Sequence, residues 1–288
     1  MPVPLLSTFG EQFFYPILEH PPRMERPFRP GSVDEDRWNR SRMIGWLDLE
    51  KVGSAKLLVV GAGALGNEVV KDLVLAGARN IRLVDMDRVV RSNLSRCVFF
   101  REEDSAGRRL KAEVVAERAM DLDPGAVVEP SVCRAEDLPS DTWGRHDLVL
   151  GCLDNISARL HVNAHSYHAG VPYIDGGTSG FAGKVQVVIP PHGPCLQCGL
   201  NRTHYRILDI RHSCTGGDVT VYEPKVPAEI TTTAVVAAVQ VREALKVLSG
   251  RQDMCVRDVL HYNGTTNRWD ELELSVDPGC ALHGISIR

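Results

Sequence analysis

The spacing of apolar positions changes at about residue 55. Lys56–Val60 (KLLVV) is a short apolar run that stops at a glycine, the pattern of a buried strand. In residues 67–76, Val69, Val70, Leu73 and Val74 recur at helical spacing, with Ala76 following. Asn80–Val84 (NIRLV) reads as a second strand, and residues 106–121 as a charged amphipathic helix with Val114, Val115 and Ala119 on its inner side. Residues 148–150 make a third buried strand and 157–169 a further helix. Residues 184–189 alternate like a strand, and 228–249 form a long apolar helix. Residues 256–262 and 268–274 form a hairpin around Asn263-Gly264. Strands alternating with helices predict an α/β chain with a doubly wound, largely parallel sheet, extended by a C-terminal antiparallel part. Residues 1–35 break the pattern. Prolines at 21, 22, 27 and 30 exclude a long helix there, and Phe9, Phe13, Phe14 and Tyr15 suit either a loose arm or a docking segment. The expected division is an N-terminal arm at 1–35 and one domain at 36–288.

Composition narrows the class. With 288 residues, 43% of them hydrophobic and 24% charged, the chain can bury a large core without disulfides. A net charge of −4 argues against a nucleic-acid partner. The most apolar stretch, 234–248, is interrupted by Gln240, Arg242, Glu243 and Lys246, so no membrane span is expected. The start of the chain has no leader pattern. Eight dispersed cysteines suggest a reduced, cytoplasmic protein.

Gly61-Ala-Gly63-Ala-Leu-Gly66 follows the first strand and opens a helix. Glycines there permit a tight turn and a close phosphate, which the helix N-terminus favours. Asp85 ends the next strand, where a carboxylate can accept ribose hydroxyls. Alone, these residues indicate a Rossmann-like nucleotide site with NAD as the usual occupant.

The following motifs point elsewhere. Asn80-Ile-x-Leu-Val-Asp85-x-Asp87, Ser92-Asn93-Leu94-x-Arg96, Lys111, and Asp154-Asn155-x-x-x-Arg159-x-x-x-Asn163 occur in order. Gly180-Phe-Ala-Gly183 and Pro194-Cys195-x-x-Cys198 come next. This ordered set, over about residues 36–283, resembles the ubiquitin-activating superfamily of ThiF/HesA/MoeB adenylyltransferases, in a compact bacterial-type form. The resemblance implies binding of ATP and Mg²⁺. A C-terminal carboxylate, commonly Gly-Gly of a ubiquitin-like protein, then attacks the α-phosphate to give an acyl adenylate and pyrophosphate. Two anions must meet, so positive charge and positioning carry such catalysis. By the resemblance, Asp154 holds Mg²⁺, with Asn155 beside it. Asn93, Arg96 and Lys111 face the nucleotide, as do Asp85, Asp87 and the three glycines. Arg37-Trp38-Asn39-Arg40 resembles a segment whose arginine reaches a partner subunit's ATP in a homodimer. That role falls to Arg40 before Arg37. Two departures are Ala64 in place of a glycine, and Cys97 where glutamine commonly stands.

Cys195-x-x-Cys198 and Cys280-x-x-His283 can together close a tetrahedral zinc site that ties the tail to the body. Cys214 lies in the expected crossover loop at about 199–227, after Arg211 and His212. Where family members conjugate, a cysteine there takes the acyl group as a thioester. Cys97, Cys133, Cys152 and Cys255 read as packing residues. The leading expectation is adenylation of a ubiquitin-like protein and transfer to Cys214, with a conjugating enzyme as further partner. A sulfur-carrier or peptide-tailoring adenylyltransferase is the alternative within the same chemistry. An inactive binding subunit is the alternative outside it.

Overall fold

The structure is a computed structural model, and it describes residues 36–200 and 227–283. The arm at 1–35, Cys214 and most of the expected crossover loop lie outside the described residues. Eight strands form one sheet: β1 (Lys56–Val60), β2 (Asn80–Val84), β3 (Val127–Ser131), β4 (Leu148–Gly151), β5 (Tyr173–Ser179), β6 (Ala182–Val188), β7 (Val259–Asn263) and β8 (Arg268–Leu272). Their order is β3-β2-β1-β4-β5-β6-β7-β8. β1 to β5 run parallel, and β6 to β8 continue antiparallel. This is the Rossmann-like, largely parallel sheet with an antiparallel C-terminal part that the sequence predicts.

The helices are α1 (Leu49–Ser54), α2 (Ala64–Leu75), α3 (Glu102–Ala106), α4 (Lys111–Leu122), α5 (Ile156–His168) and α6 (Ile230–Leu248). Side chains alternate across a strand, so β1 supplies both faces. Leu57 and Val59 pack with Val69 of α2, Val114 of α4 and Val236 of α6. Leu58 and Val60 pack with Val162 of α5, Trp143 and Tyr173. Two cores sandwich the sheet, which is why residues 57–60 are all apolar. The chain leaves β1 toward β2 on one side and returns to β4 on the other. The carboxyl ends of β1 and β4 are therefore the topological switch point, where ligands bind in open α/β sheets.

Three details depart from the sequence reading. β3 escapes it because Pro130 reads as a strand breaker. β3 is an edge strand bonded only to β2, where a missing N–H is tolerated. β5 (YIDGGTS) escapes it because an acid and two glycines resemble a loop; their compensations are tertiary. The helix expected at 106–121 begins only at Lys111, because Gly107 and Arg108, whose φ is 48°, end the short α3 and separate it from α4. That break makes Lys111 the first residue of α4 and sets it beside β2.

Candidate active site

The glycine-rich loop turns directly off β1. Gly61 has φ 105°, and a Cβ there would stand 2.5 Å from the Cys152 carbonyl oxygen. A Cβ on Gly66 would stand 1.9 Å from the Gly61 carbonyl oxygen. Both positions exclude any side chain, and the loop folds tightly onto the first turn of α2, whose N-cap is Gly63. The Cys152 N–H donates to Val60 O at 2.8 Å, holding β4 against this turn.

Asp85 closes the loop from β2. Its Oδ2 accepts the Ala62 N–H at 2.7 Å and its Oδ1 the Asp87 N–H at 2.8 Å. Burial raises its carboxyl above the ordinary value, against Lys111 and these two N–H donors. The Lys111 ammonium meets Asp87 Oδ2 at 2.8 Å, and the Lys111 N–H donates to the Asp87 carbonyl at 2.9 Å. Asn93 is buried, and its Oδ1 accepts the Val90 N–H at 3.1 Å to form the turn that presents Arg96. Arg96 donates to the Ser92 carbonyl at 2.5 Å. Cys97 follows in the core, where burial pushes its thiol up to about 11, so it packs as a neutral thiol.

Asn67 is a residue that the motifs overlook. It is wholly buried on the apolar helix α2. Its Nδ2 donates to the Ala62 and Gly63 carbonyls, each at 2.9 Å, and its Oδ1 accepts the Phe99 N–H at 3.0 Å. It ties the glycine-rich loop to the segment carrying Arg96. A lone amide among Val69, Val70 and Leu73 is the sequence signal that could have found it.

At the end of β4, Asp154 is exposed and makes no ion pair among the described residues. Asn155 caps α5, its Oδ1 accepting the Ala158 N–H at 2.8 Å. The rest of the D-N-x-x-x-R-x-x-x-N motif turns inward. The Arg159 Nε donates to Asp175 Oδ1 at 2.9 Å, and its Nη2 donates to Oδ2. Asn163 Oδ1 accepts the Leu196 N–H at 3.0 Å. One turn further, Tyr167 Oη donates to the Pro191 carbonyl at 3.1 Å. Residues 155, 159, 163 and 167 lie four apart on one face of α5. This stripe connects the switch point to the cysteine cluster.

That cluster gathers Cys195, Cys198, Cys280 and His283, with their ligand atoms all within 4.8 Å of one another. Cys195 Sγ stands 3.8 Å from Cys198 Sγ and 3.7 Å from Cys280 Sγ, and Cys198 Sγ stands 3.6 Å from His283 Nε2. A zinc–sulfur bond of about 2.3 Å implies ligand separations of about 3.8 Å on a tetrahedron, so these residues fit that ion.

The segment before α1 lies at the other end of the sheet. Trp38 Nε1 donates to the carbonyl of Leu75, the last residue of α2, at 3.0 Å, and its ring packs on Gly77. Arg37 pairs with Asp123 at 3.3 Å. Arg40 is exposed and pairs with no acid among the described residues. Twelve-residue α2 is about 18 Å long, which separates this segment from the glycine-rich loop of its own chain. Among the described residues no helix is long and apolar enough to cross a membrane.

Comparison with known proteins agrees with this architecture. The ThiF family model matches residues 38–282. The NEDD8-activating enzyme E1 catalytic subunit of Arabidopsis thaliana is 37% identical over 156 residues, covering 50% of this chain and 34% of that protein. SUMO-activating enzyme subunit 2 of Dictyostelium discoideum is 35% identical over 157 residues, covering 54% of this chain and 23% of that protein. The chain thus spans about a third or less of the length of these relatives. Among solved structures, E. coli MccB with ATP has a TM-score of 0.70 at 18% identity, covering 88% of this chain and 76% of that one. PaaA has a TM-score of 0.65 at 16% identity, covering 85% of each chain.

Proposed function

The chain belongs to the ThiF family, and from that premise we propose that it adenylates the C-terminal carboxylate of a ubiquitin-like or other peptide substrate. The observation that carries the reading is the grouping of charge at the carboxyl ends of the strands. The glycine-rich loop, Asp85, the Asp87–Lys111 pair and the exposed Asp154 all sit where β1, β2 and β4 end.

In this reading ATP lies across the switch point, with its phosphates on the N–H groups of the loop and the N-terminus of α2. Asp85 accepts the ribose hydroxyls. Lys111 and Arg96 neutralise the phosphates, and Asn93 and Asn67 hold the segments that present them. Asp154 would hold Mg²⁺, which supplies charge neutralisation at the phosphates; Asn155 fixes its direction by capping α5. A substrate carboxylate oxygen attacks the α-phosphorus, the bond to the bridging oxygen breaks, and pyrophosphate leaves. Lys111 already donates to Asp87 and Arg96 to Ser92, so both must exchange these partners for phosphate oxygens.

Arg40 adds the remaining charge from the partner subunit of a homodimer. Its place at the far end of α2 supports this, because its own chain's phosphate site is out of reach. The Cys195, Cys198, Cys280 and His283 cluster is a structural zinc site. Cys214 takes the acyl group from the adenylate, its sulfur attacking the carbonyl carbon as AMP leaves. A conjugating enzyme then receives it, in the cytoplasm. The unit that does this is the single domain at 36–288, with the arm at 1–35 outside it. ATP–pyrophosphate exchange with candidate ubiquitin-like proteins tests the reading. Asp154→Ala abolishes exchange without loss of fold, since the residue is exposed. Full exchange by that variant removes Asp154 from the site, and no exchange with any substrate leaves the chain an inactive binding subunit.

A further inference from the structure

Beside the nucleotide site, Arg159, Asp175 and Lys184 form a cluster of two cations and one anion, a surplus of one positive charge. The carboxylate already accepts three hydrogen bonds without the lysine. Asp175 has no exposed surface; its Oδ1 accepts from Arg159 Nε at 2.9 Å and from the Tyr173 hydroxyl at 2.9 Å, and its Oδ2 accepts from Arg159 Nη2. Lys184 Nζ stands 3.5 Å from Oδ2, beyond the 2.7–2.9 Å of a charge-assisted hydrogen bond. Its ammonium carries three donors, and among the described residues no acceptor meets them at that length. Burial lowers the Lys184 ammonium below its ordinary value; Asp175 opposes this and the Arg159 charge adds to it.

The position is equally specific. Lys184 lies opposite Gly177 in the β5–β6 register, toward the carboxyl end of β5. That is the end of the sheet where the glycine-rich loop and Asp154 sit. A Cβ on Gly177 would stand 2.7 Å from Arg159 Nη2, so position 177 of β5 carries no side chain over the cluster. One third of the Lys184 side chain is exposed, at 33%, against 12% for Arg159. Lys184 is therefore the more exposed of the two cations.

We propose that Lys184 is a further anion-binding residue of this site and takes an oxyanion of one of the reactants, a carboxylate or a phosphate. The proposal rests on the adenylation reading, in which two such anions are brought together. Its place in the sheet favours the carboxylate. In the order β1-β4-β5-β6, Lys184 is three strands from the glycine-rich loop, about 14 Å at ordinary strand spacing. In the adenylation reading the phosphates rest on the loop, which leaves the carboxylate as the anion for a lysine this far along the sheet.

The test uses the whole chain and needs no turnover. Acylation of Lys184 by acetic anhydride is followed by mass spectrometry without ligand, with a non-hydrolysable ATP analogue, and with that analogue plus millimolar diglycine or diglycinamide. Analogue binding is measured separately by equilibrium dialysis. Protection of Lys184 at least threefold by diglycine and not by diglycinamide is expected, and assigns the carboxylate. Protection by the analogue alone supports the proposal and assigns a phosphate. Lys184→Met weakens the protecting ligand about tenfold, and Lys184→Arg keeps it within threefold. Unchanged labelling in all arms while the analogue binds overturns the proposal and leaves the adenylation reading standing. Absence of analogue binding overturns both.

Discussion

Replacing Arg159 by methionine isolates the buried ion pair beneath β5. The stem is replaced in kind, and the guanidinium is lost. Asp175 then keeps the Tyr173 hydroxyl and Lys184 at 3.5 Å, with no exposed surface for water to reach. Two hydrogen bonds to a charged group disappear, each contributing roughly 1.5–3 kcal/mol. Breaking a buried pair from one side costs about 3–5 kcal/mol. Because Lys184 remains, the expected loss is about 3–4 kcal/mol, read by urea unfolding at pH 7.5.

The pH dependence carries a sign. In the native protein burial would raise the Asp175 carboxyl, but Arg159 and then Lys184 hold it below its ordinary value. Its contribution is therefore complete above the unfolded value, about 3.9, and flat from pH 5 to 8. In the variant, burial prevails and raises the folded pKa. A raised acid favours folding below the unfolded value, and that contribution is lost as pH rises through the folded one. The penalty must therefore shrink toward pH 5. Adding Asp175→Leu to Arg159→Met should recover most of the stability, since an apolar replacement leaves no uncompensated charge. At a temperature where the variant is folded, its KM for ATP should stay within threefold of the native value. A penalty below about 1 kcal/mol, or one independent of pH, refutes the view that Arg159 serves Asp175.

Three further outcomes are expected. Protein purified without added metal should carry about one zinc per chain on Cys195, Cys198, Cys280 and His283, measured by plasma emission; His283→Ala should release it and lower the melting temperature, because metal binding is coupled to folding. Mixing Arg40→Ala with Asp154→Ala subunits, each inactive alone, should restore roughly a quarter of native exchange, since one site in each mixed dimer has both residues; no restoration argues against a partner's arginine. With ATP and the right substrate, Cys214→Ala should keep pyrophosphate exchange and lose a thiol-cleavable adduct; robust adenylation with no adduct in the native protein favours the sulfur-carrier or peptide-tailoring chemistry instead.

Local sequence was enough wherever function and fold are written at short range. The β1 run followed by 61–66 states a buried strand turning tightly into a helix, because tight turns need glycine and double burial needs continuous apolar residues. The paired Cys-x-x-Cys and Cys-x-x-His motifs name the four side chains that the fold brings together. What the sequence could not state is which way the motif residues turn. Asp154, Asn155, Arg159 and Asn163 read as one site, yet Asp154 faces outward while Asn155 caps α5 and Arg159 and Asn163 brace β5 and the 195–198 turn. Direction along a helix is decided by what packs on each face. The same holds for β5, whose Asp175 and glycines become a strand because Arg159 neutralises the acid and Gln240 and Arg159 fill the space the glycines leave. It holds too for Arg37 and Arg40, three residues apart in one motif. Trp38 fixes their segment to the far end of α2, where Arg37 meets Asp123 and Arg40 does not. Charges act through distance and burial, and both are properties of the folded chain.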